Sequence, residues 1–264
     1  PNDGMTLIST TRDTAGAIAP TVAMVARLDS ILASEPVEPL PAVALKGLRI
    51  GIPRAYFQEN VSLPVKAAVA TVEQRLRKAG VELVEADIPA IAELNAAVSF
   101  PVVLHETSEL LPSYLAENAP GVSLADLRGQ IASDDVAAVV GDALDGAIDV
   151  ATYEAALGQH RAALQAAYAN YFTTHNVEAV LLPTTPLAAR PIADDLNTVS
   201  LNGEAVATFP TYIKNTDPSS NAGIPGISIP SGARPTGLPI GIELDGPAGS
   251  DRRLLAIARA IETL

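Results

Sequence analysis

The stretch Leu48-Arg49-Ile50-Gly51-Ile52-Pro53, then the amphipathic run from Pro64 to Lys78, then Val81-Glu82-Leu83-Val84-Glu85-Ala86-Asp87-Ile88, decides the fold class. The first segment is a short apolar run ended by a proline, which cannot continue a strand ladder. The second has helical spacing and is closed by Gly80, a C-terminal cap residue. The third alternates apolar and acidic side chains, as a half-buried strand does. Strand, helix and strand in that order imply a parallel or mixed sheet with crossover helices, hence an α/β fold.

Working outward, the sheet resumes at Ala179-Val180-Leu181-Leu182-Pro183, followed by the polar Thr184-Thr185-Pro186. Asn202-Gly203 between apolar residues signals a tight hairpin turn. A polar loop, Asn215-Thr216-Asp217-Pro218-Ser219-Ser220-Asn221-Ala222, then feeds the strand Gly226-Ile227-Ser228-Ile229-Pro230, and Pro239 to Leu244 forms another. Ser250 or Asp251 caps a final amphipathic helix that runs to Leu264. On the N-terminal side, Asp13 or Thr14 caps a helix carrying Ile18, Val22, Val25, Leu28 and Leu32, and a proline-rich connector spans Glu35 to Pro41. Residues 90–175 read as a largely helical insertion with breaks at Pro101, Pro112, Pro120-Gly121 and Gly146. The carboxylates Asp134-Asp135 and Asp142 to Asp145 in it read as solvated helix faces, not a metal site.

Composition bounds the function. Of 264 residues, 48% are hydrophobic and 18% charged, which suits a packed globular chain. A net charge of -13 argues against nucleic acid, whose phosphates need clustered Lys and Arg. With no cysteine, disulfides, thiol nucleophiles and cysteine metal sites are excluded. His105, His160 and His175 form no close-spaced ligand set. No apolar run is long enough to span a bilayer and no signal peptide is visible, so the expectation is a cytoplasmic protein without membrane partners. The first methionine is Met5, after Pro1-Asn2-Asp3-Gly4, so the chain is expected to be part of a longer protein.

Self-contained hydrolase motifs fail. In Gly226-Ile227-Ser228-Ile229-Pro230 a proline replaces the second glycine of a nucleophile elbow, and Ser228 sits mid-strand. His105-Glu106 lacks the second histidine of a zinc-protease helix. No phosphate-cradling glycine loop and no dinucleotide fingerprint occurs.

Several segments nevertheless resemble, in order, those of the amidase signature family. Ser9-Thr10-Thr11-Arg12-Asp13-Thr14-Ala15-Gly16 is similar to the stretch just downstream of that family's Gly/Ser-rich signature, although Ala17 stands where proline is common and Pro20 where arginine often occurs. Gly47 to Pro53, Pro183-Thr184-Thr185-Pro186, Gly223 to Pro230 and Gly237 to Ile242 resemble its later strands. The form of Asn215 to Pro225 resembles the branch of indoleacetamide and mandelamide hydrolases.

The resemblance implies the C-terminal portion of a single amidase signature domain over residues 1–264, with a mixed sheet sandwiched by helices. It implies hydrolysis of a small aryl-acetamide-type primary amide to the acid and ammonia, with no metal or other cofactor. In that family a lysine acts through a serine held in a cis peptide to deprotonate a nucleophilic serine. An acyl-enzyme follows, its oxyanion held by backbone amides. All three triad positions lie upstream of Pro1 in the family pattern, so no catalytic residue is carried over and this chain alone is expected to be inactive. Its expected partners are the amide substrate, the missing N-terminal half of the same protein and, as an open possibility, further copies in a homo-oligomer.

The substrate-binding candidates are Asn215, Thr216, Asp217, Ser220 and Asn221 in the late loop. Thr184, Thr185 and His105 are weaker ones. For the loop residues an Asx-turn or hydroxyl satisfying local backbone is an equal alternative, and His105 on an apolar helix reads first as a core or boundary residue. Arg12 and Asp13 read as an ion pair and cap. Two other classes stay open: a catalytically silent scaffold or partner-binding fragment, and an α/β small-molecule binding protein closing about a hinge.

Overall fold

A computed structural model describes residues 2, 4–192, 197–234 and 237–264. In chain order the elements are α1 (Val22–Leu32), β1 (Arg49–Ile52), α2 (Leu63–Lys78), β2 (Glu82–Glu85), α3 (Ile91–Ala96), α4 (Ser99–Asn118), α5 (Leu124–Gly129), α6 (Asp134–Leu144), α7 (Val150–Ala155), a five-residue π-helical turn (Ala156–His160), α8 (Arg161–His175), β3 (Ala179–Pro183), β4 (Thr198–Leu201), β5 (Glu204–Ala207), α9 (Thr208–Ile213), α10 (Asp217–Ala222), β6 (Gly226–Pro230), β7 (Gly241–Asp245) and α11 (Asp251–Glu262).

The main sheet has the order β2-β1-β3-β7-β6. β1 runs parallel to β2 and β3, whereas β7 is antiparallel to both β3 and β6. The sheet is therefore mixed, and the β1-α2-β2 crossover is the unit the sequence predicts. β4 and β5 form a separate hairpin, turned by Asn202 and Gly203 at φ 53° and 91°. Positive φ at both central residues matches the strand twist and favours Asn-Gly.

Alternation along the strands supplies two cores. Ile50, Ile52, Leu181, Ile242 and Leu244 pack on one face against Val65, Val69 and Leu76 of α2, Leu254, Ile257 and Ile261 of α11, and Val22 of α1. Val180 and Leu182 face the other way, toward Tyr168, Tyr171 and Phe172 of α8, Ile91 of α3 and Val102 of α4. The sheet thus lies between two helical layers, and β3, buried at every residue, is its centre.

Three expectations are corrected. The first helix begins at Val22 with Thr21 as its cap, not at Asp13 or Thr14, and Ile18 is 96% exposed outside it. Pro20 lies just before that cap, and its ring disfavours helical backbone in the residue preceding it. Pro101 and Pro112 do not break the chain. Pro101 is in the first turn of α4, where amides have no intrahelical partner anyway, and Pro112 lies inside the same helix, whose Leu111 and Leu115 are buried. The late polar loop is helical from Asp217, with Pro218 in its first turn and Gly223 ending it at φ 70°. Ser250 occupies the cap position of α11 but makes no side-chain capping bond.

Candidate functional site

A groove of about 720 Å³ runs beside the outer edge of β6. Residues 11–19 form one border and Gly223 to Ser228 form its floor. Arg161 and Ser220 line it from α8 and α10, while Asp29, Asp251 and Leu254 line it from α1 and α11. Its size lies within the range of small-molecule sites.

Polar side chains hold the groove's border in place. Asp13 accepts bonds from the amides of Ile8 (2.7 Å) and Ser9 (3.0 Å), so it closes a local loop and does not pair with Arg12. Arg12 instead pairs with Asp217 at 3.0 Å and donates to the Ser99 carbonyl at 3.1 Å. Glu106 accepts from the Ser9 hydroxyl, the Thr11 amide and the Tyr153 hydroxyl. These bonds tie residues 8–13 to the helical layer. That tie explains why this polar segment is ordered without secondary structure of its own.

The sequence-predicted residues divide into four groups. Ser220 is exposed on the groove, and Thr184 meets it indirectly, because its hydroxyl lies 2.7 Å from that of the lining residue Ser228. Asn215 and Asn221 are fully buried. Asn215 donates to the Phe57 and Pro183 carbonyls at 3.1 and 2.7 Å, which joins α10's approach to the sheet. Asn221 donates to Asn95 at 2.7 Å, Asn95 donates to Asp217 at 2.7 Å, and the chain ends at Arg12. Thr216 and Thr185 bond the backbone carbonyls of Ile213 and Leu187. His105 is not among the lining residues. Its ring stacks on Tyr153 at 4.2 Å and its Nδ1 lies 3.2 Å from the Ile148 carbonyl.

Beneath the floor lies a buried acid pair. Glu243 and Asp245 of β7 are 6% and 0% exposed, and they sit two residues apart, on the face opposite Ile242 and Leu244. On β6, Gly226 pairs with Asp245 and Ser228 with Glu243. A Cβ on Gly226 would come within 2.8 Å of Asp245 Oδ1 and 3.3 Å of Glu243 Oε1, so glycine is what leaves them room. Neither Asp245 oxygen meets hydrogen-bond geometry with a described residue, nor does Oε2 of Glu243 or the hydroxyl of Tyr168. Burial pushes Asp245 up to about 7, against weaker pulls downward from Glu243 and Ser219. Burial and then the Asp245 charge raise Glu243 well above the usual carboxylate range. Burial, followed by those two carboxylates, raises the Tyr168 phenol. A buried carboxyl with no well-placed donor stays neutral until the pH is high enough to force ionisation.

No group of three or more metal-ligating side chains occurs among the described residues, and no described helix is long and apolar enough to cross a membrane. Sequence reasoning passed over Arg161, Glu243, Asp245 and Tyr168. The available signal was the pair of acids at alternate positions in an otherwise apolar strand.

The family model described as Amidase matches residues 1–255. An indoleacetamide hydrolase of Agrobacterium vitis is 46% identical over 263 residues, covering 99% of this chain and 56% of that protein. A mandelamide hydrolase of Pseudomonas putida is 37% identical over 275 residues, covering 100% and 52%. The chain therefore spans about half the length of the curated relatives it matches. Among solved structures, one described as an amidase superposes with a TM-score of 0.78 at 24% identity, covering 97% of this chain and 54% of that one. A bacterial aryl acylamidase of the amidase signature family superposes with a TM-score of 0.73 at 19% identity, covering 94% and 52%.

Proposed function

The chain belongs to the amidase family, and from that premise we propose that it forms the groove-bearing portion of an enzyme that hydrolyses small aryl-acetamide-type primary amides, indoleacetamide- or mandelamide-like, to the acid and ammonia. The observation that carries this reading is the 46% identity to an indoleacetamide hydrolase across 99% of the chain. The groove is chemically suited to such a substrate. Ile224, Pro225, Ile227 and Leu254 offer apolar surface for a ring, and Ser220 and Ser228 offer polar atoms for an amide.

The reaction proceeds through an acyl-enzyme on a serine activated by a lysine and a cis-peptide serine, all supplied from outside these 264 residues. The part played by this chain is to carry the sheet and the wall of the acyl pocket, with Ser220 on the groove and Thr184 behind Ser228. Asn215, Asn221 and Asp217 hold that wall in shape through the bonds described above.

The test measures ammonia release from indole-3-acetamide and mandelamide. One sample is the 264-residue chain. The other is a chimera in which it replaces the matching half of the Agrobacterium vitis hydrolase, with circular dichroism establishing that the chimera folds. The expected result is turnover by the chimera and none by the chain. Turnover by the chain itself would overturn its role as wall and scaffold, and a folded chimera inactive on both amides would overturn the substrate class.

A further inference from the structure

Arg161 stands at the start of α8 and lines the groove, with a side chain only partly exposed. Its Nε donates to the Asn221 carbonyl and one terminal nitrogen to the Thr11 carbonyl, both at 2.9 Å. Both acceptors are neutral. Among the described residues Arg161 makes no ion pair, and its other terminal nitrogen has no hydrogen-bond partner. Arg12, the second guanidinium on the groove, is neutralised by Asp217. The groove's two carboxylates, Asp29 and Asp251, belong to the opposite wall made by α1 and α11.

An arginine fork fixed by two carbonyls, with a free edge toward a groove, is preorganised for a planar anion. We propose that Arg161 binds the carboxylate of a small aromatic acid in the groove. Given the reaction proposed above, on which the naming of this ligand rests, that acid is the product, and the groove retains it more tightly than the neutral amide. Burial, followed by the charge of Arg12, pulls Arg161 below the usual arginine range, against opposite pulls from Glu106 and Tyr153.

The experiment is calorimetric titration of the 264-residue chain with indole-3-acetate and, separately, with indole-3-acetamide, at low and at high salt. The acid should bind at least tenfold more tightly than the amide, and salt should weaken only the acid. Arg161→Gln should cost the acid about 10- to 100-fold, the scale of a charged hydrogen bond, and leave the amide within a few-fold. Since Arg161 also secures two backbone carbonyls, Arg161→Lys serves as the second variant: it keeps the charge, loses the fork and should lie between. Equal affinity for acid and amide, or an acid affinity indifferent to both variants and to salt, would overturn the proposal. Binding needs no turnover. Acid binding in a protein whose chimera hydrolyses no amide would sink the substrate reading while leaving Arg161 as a carboxylate site.

Discussion

Replacing Asp245 by Asn removes one ionisable oxygen from the buried pair with little change in shape. Its carboxyl titrates at about 7 in the folded chain instead of at the ordinary 3.8. Below 3.8 both folded and unfolded chains hold the proton. Between that value and about 7 only the folded chain does, so stability falls as pH rises through this window. One proton held across one pH unit is worth about 1.4 kcal/mol, so the interval accumulates on the order of 4 kcal/mol. That is a large share of the roughly 5–15 kcal/mol that holds an ordinary domain folded. The assay is urea denaturation of the native chain and Asp245→Asn at pH 5, 6, 7 and 8. At pH 5 the two should agree to within about 1–2 kcal/mol. By pH 8 the variant should be the more stable by a few kcal/mol, since Asn never has to ionise there. Taking the difference between the two proteins cancels the histidines and exposed acids that titrate in both. A stability difference that stays constant from pH 5 to pH 8 would refute the reasoning.

Three further substitutions probe the same frame. Tyr168→Phe removes a buried hydroxyl with no partner among the described residues, so thermal unfolding should show no loss, or a gain of up to about 1 kcal/mol. Asn215→Ala leaves the Phe57 and Pro183 carbonyls without their donor and should cost roughly 2–4 kcal/mol by urea midpoint; a cost under about 0.5 kcal/mol would mean that the clamp is ornamental. Gly226→Ala places a methyl 2.8 Å from Asp245 Oδ1 and should destabilise by about 1–3 kcal/mol, a penalty that should shrink when Asp245→Ala is combined with it in a double-mutant cycle.

Much of the fold was legible because burial follows period. Ala179 to Pro183 is apolar throughout and became the sheet's fully buried centre. Asn202-Gly203 named its own turn because few residue pairs accept two positive φ angles. The misreadings share one cause, which is that local preference was given more weight than context. Pro112 lowers helix propensity, yet α4 continues through it between buried leucines. The run from Asp217 to Ala222 is rich in turn formers, yet one helical turn lets Asn221 reach Asn95 and Asp217 reach Arg12. The candidate site was less legible. Ser220 could be named from composition, but Arg161 becomes part of the groove only once α8 is laid against α10, which no local pattern encodes. Glu243 and Asp245 follow the alternation of a strand with one wet face, and it is the covering layer of α8 and α10 that makes that face dry.

The π-helical turn from Ala156 to His160 sits directly before Arg161. Such a turn holds one residue more than the α-helix needs for the same path, as an insertion absorbed without shifting the frame on either side. Excising one residue there, Gly158 for example, would let the ladder close as a continuous α-helix. Tyr168, Tyr171 and Phe172 would still point into the core, and Arg161 would still face the groove. A deletion within α8 between Arg161 and Tyr168 would instead swing the three aromatic residues by about 100° relative to Arg161. In an otherwise frame-sensitive helix, this is the place where the chain can change its length without losing its phase.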